Sequence, residues 1–395
     1  MGCHASGGRP ERSRGDVMGR RGSSGSKQAP IAAGAVPADA LTAAFPALDL
    51  AIQPPFPPME AKAVTEIPVG PGWLYEPKWD GFRCLAFRSD DIVALQSKSG
   101  QPLARYFPEL VEALQALPAR RFVLDGEIVI PRESGLSFDD LLQRIHPADS
   151  RIRRLAAETP ATLLAFDVLV DARGNATTGL PLARRREELE RFFADVPRTP
   201  RIHLSPATED RGTADRWMRE RGSALDGIVA KRLDAAYLSG DRSAMRKVKR
   251  LRTADCVIGG FRYAASGGDV GSLLLGLHDA EGLLHHVGFT SSFTAAERKE
   301  LRRIVEPLIA PPGFSGRAPG GPSRWSDKRS MEWQPLRPEL VCEVRYDHFS
   351  GGRFRHGTKF LRWRPDKTPA TCTLEQVVSR ATPASWTTIL GGERR

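Results

Sequence analysis

From Trp73 onward, short apolar runs alternate with amphipathic stretches. Residues 84–87 and 92–95 are apolar and flank Ser89, Asp90 and Asp91, which predicts a hairpin. Phe107, Leu110, Val111, Leu114 and Leu117 recur at helical spacing. Residues 122–130 and 163–170 read as buried strands, 182–193 and 213–221 as helices, and 227–231 and 247–249 as further strands. Together they predict a mixed α+β unit that ends near Arg252. Beyond it the helical signal thins. Strands are predicted over 257–263, 272–277, 283–289, 340–346 and 359–363, with a hairpin turn at 279–282 and one helix over 294–308. Five strands and one helix suit a small Greek-key barrel. Ahead of both units, residues 1–48 are rich in Gly, Ser, Ala and Pro, with too few large apolar side chains to offset their ordering entropy. A disordered tail is expected there, followed by an extended lead-in at Pro54, Pro55, Pro57 and Pro58. The Pro/Gly-rich stretch 311–330 predicts a mobile loop. The expected organisation is a tail (1–48), an α+β domain (49–252), a barrel (253–375) and a C-terminal extension (376–395).

At 395 residues the chain is long enough for two or three domains. The apolar runs at 161–170 and 273–277 fall well short of the ~20 residues a membrane span needs, and 1–27 lacks the apolar centre of a signal peptide. The five cysteines (Cys3, Cys84, Cys256, Cys342, Cys372) form no CxxC pair, so neither a disulfide framework nor a cysteine zinc site is expected. A reducing cytoplasm fits this usage. Charge adds a location. Lys+Arg number 58 against 47 acids, a net +11; residues 251–395 alone carry 21 against 15. Arg345, Arg353, Arg355, Lys359, Arg362, Arg364 and Lys367 interleave with Phe349, Phe354, Phe360 and Trp363. Cations neutralise phosphates while aromatic faces stack on bases, so this pattern suits a polyanion and a barrel of the oligonucleotide-binding (OB) type. A solvated basic strand face would give the same run.

The sharpest local feature is Glu76-Pro77-Lys78-Trp79-Asp80-Gly81-Phe82-Arg83. A lysine nucleophile must lose a proton, and its ordinary pKa of about 10.4 falls only with burial or neighbouring cations. Gly81 permits a tight turn where a nucleotide would approach. A bare KxDG also fits a surface ion pair beside a turn. Downstream, Asp125-Gly126-Glu127 puts charge inside an apolar strand, Phe166-Asp167 interrupts another, and Asp226-Gly227 leads into Ile228-Val229-Ala230-Lys231. Lys247 and Lys249 fall on one face of a strand, since side chains repeat every second residue. Each feature alone fits a structural role. The five in this order on predicted strands do not arise readily by chance.

In these motifs the chain resembles the ATP-dependent DNA ligases of the covalent nucleotidyltransferase superfamily. It is most similar to the compact bacterial C-type enzymes, in which a nucleotidyltransferase (adenylation) domain precedes an OB domain. The similarity runs from about Pro54 to Thr373 and includes Arg105-Tyr106-Phe107-Pro108-Glu109-Leu110, Arg144-Ile145-His146-Pro147 and Arg252-Thr253-Ala254-Asp255-Cys256. The resemblance implies that Lys78 attacks the α-phosphate of ATP to give a lysyl-AMP, with Lys247 and Lys249 on that phosphate. It implies adenine stacking by Phe166, Glu76 in the adenine pocket, Glu127 at the ribose and a divalent ion, and Asp226 at the same ion (magnesium or manganese). Arg83 would meet the nucleotide or the 5′-phosphate of a nick, and Lys98 the nucleotide. Arg364-Pro365-Asp366-Lys367 would orient pyrophosphate from the OB domain after closure about a hinge at 249–254. Arg353, Arg355, Lys359 and Arg362 would contact DNA. The implied partner is nicked duplex DNA, met by a monomer in the nucleoid-associated cytoplasm, with sealing in repair.

Three positions depart from the family pattern. Lys98 stands where arginine is common and lacks the bidentate fork for a nick phosphate. Asp226 replaces glutamate, and Gly357 replaces proline. Two other readings remain at this point. An RNA ligase or capping-type guanylyltransferase shares the lysine motif, but the barrel with Arg364-Pro365-Asp366-Lys367 favours DNA joining. A catalytically dead scaffold would have lost Lys78, Lys247 or Lys249, and all three are present.

Overall fold

A computed structural model of the chain describes residues 44–133, 135–196, 199–219, 225–264, 268–320, 332–377 and 389–390. Residues 1–43 of the expected tail, 321–330 of the expected mobile loop, 220–221 of a predicted helix and most of the 376–395 extension lie outside the described residues. Leu48, at the end of the expected tail, is buried in a cluster with Ile52, Met59, Leu85 and Phe87. Among the described residues no helix is long and apolar enough to cross a membrane.

The first unit is built on two sheets. Strands β1 (Trp73–Trp79), β2 (Phe82–Ser89), β3 (Ile92–Ser97), β4 (Arg121–Val129), β5 (Thr162–Val170), β6 (Ile202–Leu204), β7 (Leu225–Arg232) and β8 (Met245–Lys249) are joined by helices α1 (Pro108–Gln115), α2 (Phe138–Gln143), α3 (Asp149–Glu158), α4 (Leu182–Ala194) and α5 (Arg211–Arg219). One sheet runs β3-β2-β4-β5-β6; the other runs β1-β7-β8 and ends on the short pair Lys62–Ala63. The hairpin predicted around Asp90 is β2–β3, with Ser89 opposite Ile92. Helices α2 and α3 escape the periodicity argument. The first has six residues and starts because Ser137 accepts a hydrogen bond from Asp140 N; the second buries only Ile152, Leu155 and Ala156. The two phrases 105–110 and 144–147 meet in space. The fully buried Arg144 makes two bonds to Glu109, at 2.7 and 2.8 Å, and another to the Tyr106 carbonyl. A buried cation requires this partnering.

The second unit has β9 (Arg252–Tyr263), β10 (Val270–His278), β11 (Leu284–Thr290), α6 (Ala295–Val305), β12 (Val341–Tyr346) and β13 (Lys359–Trp363). The strand order is β11-β10-β9-β12-β13. An isolated Thr290–Thr358 bridge brings the outer strands β11 and β13 together and closes the barrel at that point. This is the OB-type barrel expected from the strand pattern, and helix α6 opens on a full Thr294/Glu297 capping box. Part of the expected mobile loop is anchored instead. Phe314 is buried in the barrel core, its ring 5.4 Å from His286 and 5.5 Å from Trp333.

One glycine fixes how the first unit's sheets meet, and another how two strands of one sheet pack. Asp80-Gly81 carries the chain from one sheet to the other, and a Cβ on Gly81 would stand 2.2 Å from the Ile128 carbonyl of β4. Gly81 is thus required by close contact with a strand, at a position that also lines the cavity between the sheets. Gly227 has φ +147°, and a Cβ there would stand 2.0 Å from the Val248 carbonyl. We expect Gly227→Ala to lower unfolding free energy on the order of 2–4 kcal/mol by strain and clash, read from denaturant melts. In the barrel, burial and then Arg353, Arg262 and Arg317 push the His286 imidazole down to about 3. Its folded pKa is depressed, so the stability it confers is full above about 6.5 and is lost as pH falls toward 3. Thermal midpoints measured from pH 7 to pH 4.5 should therefore fall less steeply in His286→Leu than in the wild type.

Candidate nucleotide pocket and active site

The sheet register assembles the site. Lys78 on β1 pairs with Gly227 on β7, which pairs with Lys249 on β8; one step of two residues along, Glu76 pairs with Val229 and Val229 with Lys247. Period-two alternation places these four side-chain positions on one face of the sheet. Opposite them, Arg83 on β2 pairs with Glu127 on β4. Two β-bulges add what alternation would not. The register slips between Leu225 and Gly227, leaving Asp226 as an extra residue, and Phe166 is the residue skipped where Asp125 pairs with Asp167 and Gly126 with Ala165. Bulges re-aim side chains in this way. A cavity of about 640 Å³ lies between the sheets, lined among others by Glu76, Lys78, Arg83, Glu127, Phe166 and Lys247.

Lys78 Nζ sits 2.5 Å from Asp226 Oδ2. Lys247 also faces the cavity, and burial together with the charges of Lys78, Lys98 and Lys249 lowers its pKa. This cluster of cations is the environment that a lysine nucleophile and a bound phosphate need. Burial pushes the Glu127 carboxyl up to about 7, against the opposing pull of Lys78 and Arg83. Glu76 is almost fully buried. Its Oε2 pairs with Lys231 Nζ at 2.7 Å while Oε1 has no partner among the described residues, and burial raises its pKa. Phe166 is approached by two cations, Lys231 Nζ at 4.5 Å and Arg83 Cζ at 4.7 Å from the ring centroid.

Other expected residues are placed differently. Arg83 sends Nε and Nη2 to Asp125 at 2.5 and 2.6 Å, so its fork is held inside the protein rather than offered to a nick phosphate. Lys98 borders the cavity, but is half exposed and pairs with Glu60 at 2.9 Å. Lys249 does not line the cavity; it is drawn 2.9 Å from Asp347, on the loop between β12 and β13. Arg364 bonds Asp255 and Asp366, both at 2.8 Å, and Lys367 lies 4.0 Å from Asp255, so these two cations stand outside the pocket. Arg355 grips Asp80 at 2.7 and 2.9 Å. Lys359 is exposed, Arg353 is partly buried, and Arg362 pairs with Glu343 at 2.7 Å.

Sequence reasoning missed Tyr237, Asp347 and His348, and noted Asp125 and Lys231 in motifs without a role. Tyr237 donates to Asp125 Oδ2 at 2.6 Å and accepts from Met59 N, which ties β4, whose Asp125 holds Arg83, to two distant loops. Asp167, noted only as an interruption, is neutralised by Arg185 at 2.8 and 3.0 Å. The signal available for each was a charged or hydroxyl group in an apolar context, which demands a partner without naming it.

The carboxylates of Glu127 and Asp226 offer hard oxygen ligands that suit a magnesium- or manganese-type ion, and burial makes the Glu127 charge one that a cation would relieve. Among the described residues no three His, Cys, Asp or Glu side chains form a cage. An ion at Glu127 and Asp226 would therefore draw its remaining ligands from phosphate oxygens and water.

Comparison with known proteins agrees with this geometry. Residues 58–249 match the family model described as "ATP dependent DNA ligase domain", and 266–367 the "ATP dependent DNA ligase C terminal region". DNA ligase C2 of Mycolicibacterium smegmatis is 46% identical over 349 residues, 84% of this chain and 97% of that protein. DNA ligase C of Mycobacterium tuberculosis is 45% identical over 349 residues, 84% of this chain and 96% of that one. The multifunctional non-homologous end joining DNA repair protein LigD of M. tuberculosis is 31% identical over 303 residues, 75% of this chain and 37% of its own length. With both family regions in order and near-complete coverage of two such relatives, the chain belongs to the compact bacterial ATP-dependent DNA ligases.

Proposed function

We propose that this ligase seals 3′-hydroxyl/5′-phosphate nicks in duplex DNA during repair, and that Lys78 carries the AMP. The observation that supports this most directly is the position of Lys78. It stands on the cavity wall with Lys247 beside it, Asp226 on its ammonium group and Glu127 across the cleft. The repair assignment rests on the likeness to LigD, whose name places that protein in end joining.

In this reading ATP enters with adenine against Phe166, and the orphan Oε1 of Glu76 accepts a hydrogen bond at the base edge. Lys231 holds Glu76 through its other oxygen. Asp226 accepts the proton of the Lys78 ammonium, so that the amine attacks the α-phosphate in line with the leaving pyrophosphate. Lys247 neutralises charge on the phosphate as it builds, in a site partly screened from water. Glu127 and Asp226 would hold a divalent ion, which would supply further charge neutralisation at the phosphates. Arg364 and Lys367 reach pyrophosphate only when the barrel turns about Arg250 and Leu251, the two residues between β8 and β9. That junction is the domain boundary we infer. AMP then passes from Lys78 to the 5′-phosphate at the nick, and the 3′-hydroxyl displaces it.

Incubation with α-phosphate-labelled ATP and magnesium should leave acid-labile label on the wild-type protein and none on Lys78→Ala. Persistent labelling of Lys78→Ala, with wild-type melting behaviour, contradicts the assignment. Nicked duplex DNA should be sealed in preference to a nicked RNA, and sealing of RNA alone contradicts the DNA substrate.

A further inference from the structure

The loop between β12 and β13 reaches from the barrel onto the first unit beside the nucleotide pocket, through five contacts to residues next to those that line it. Lys249 Nζ meets Asp347 Oδ2 at 2.9 Å. Arg355 Nη1 bridges both oxygens of Asp80, at 2.7 and 2.9 Å, and Asp80 is two residues from Lys78. His348 Nε2 lies 3.5 Å from the same carboxylate. The Arg355 guanidinium covers the Phe138 ring at 3.8 Å, and Ser350 Oγ lies 3.2 Å from Asp139 Oδ1. Arg355 and Asp80 are each about one-eighth exposed, so this pair is well shielded from solvent.

Two features go beyond simple packing. Asp347 presents a carboxylate to Lys249, which pairs through Gly227 with Lys78 and so shares the sheet face of Lys78 and Lys247; one ammonium group cannot serve this carboxylate and a nucleotide phosphate at full strength. In the docked arrangement Arg364 and Lys367 rest on Asp255 and Asp366 of the barrel itself, away from the cavity. This one arrangement thus shows Lys249 occupied and Arg364 and Lys367 turned away from the cavity.

We propose that the Asp347–Arg355 loop is a latch, and that Asp347 is a positioning residue which competes with the nucleotide phosphate for Lys249 and so couples barrel docking to the state of the adenylation pocket. Asp347 withholds Lys249 while the latch is closed, and the nucleotide gains it when the latch opens. Arg355 and Asp80 supply the anchor that makes the closed position definite.

This inference rests on the ligase reading, and its test separates the two. The full-length enzyme is assayed for lysyl-AMP formation by rapid quench across a range of ATP concentrations. Asp347→Ala should lower the half-saturating ATP concentration about fivefold, the scale of one partly exposed ion pair, with the maximal rate little changed. Asp347→Glu should restore the wild-type value. An unchanged or higher ATP requirement in Asp347→Ala overturns the competition, whereas a wild type that forms no lysyl-AMP overturns the ligase reading itself. A second measurement does not depend on how Asp347→Ala folds. Asp139→Cys/Ser350→Cys, in a Cys3→Ser background, is joined by a short thiol crosslinker that holds the latch shut. The crosslinked enzyme should form lysyl-AMP at least tenfold more slowly than the same protein before crosslinking, and an equal rate overturns the latch.

Discussion

The site depends on how closely two sheets approach at Gly81. There the chain leaves β1 and enters β2 in two residues, against the carbonyl of Ile128, with no room for a side-chain carbon. Move that contact outward and Lys78, at the end of one sheet, separates from Glu127, on the other. The bulges at Asp226 and Phe166 act within the frame this contact sets. Each inserts one residue into a regular ladder and turns a side chain that strict alternation would send elsewhere into the cleft. A glycine contact, a bulge on each sheet and the period of two are enough to bring six side chains of four chemical kinds around one cavity.

Charges this close together would repel unless partnered, and the partners account for much of the interior. Arg83 with Asp125, Lys231 with Glu76, Asp167 with Arg185 and Arg144 with Glu109 are all buried or nearly so. Removal of either member leaves a charge in a low-dielectric environment, a far larger loss than the pair's net contribution. These pairs hold the walls so that the groups facing the cavity need not move to receive a ligand. Glu76 does both: one oxygen is fixed by Lys231 and the other is left for the cavity.

Most strands and the barrel were legible because their cores alternate or run continuously apolar, and such patterns survive tertiary context. The short α2 and the largely polar α3 were not, since neither buries enough apolar surface to leave a period. For the site, the lysine motif and its order with Glu127, Phe166 and Lys247 were readable as a resemblance, and the cavity gathers those residues. What could not be read was long-range pairing. Nothing local to Arg83 says that its fork belongs to Asp125, 42 residues away, and nothing local to Lys249 says that it will meet Asp347 across 98 residues. Partner choice among charged residues is settled by topology, and a single sequence does not display it.

The formal charge of +11 suggests open cations waiting for phosphate. The structure arranges them otherwise. Lys78 rests on Asp226, Lys249 on Asp347, Arg355 on Asp80, and Arg364 on Asp255 and Asp366. A phosphate arriving at Lys249, Arg355 or Arg364 replaces a carboxylate and gains only the difference between two anions. Exchange of this kind weakens each contact but makes it conditional, because the displaced carboxylate must be accommodated elsewhere. An enzyme that handles three phosphate-bearing species in turn, namely ATP, the lysyl-AMP and the DNA-adenylate, benefits from contacts that are easily reversed. A pocket of unpaired cations would hold the first anion to arrive, whereas paired cations let each product leave as the next acid or phosphate takes its place.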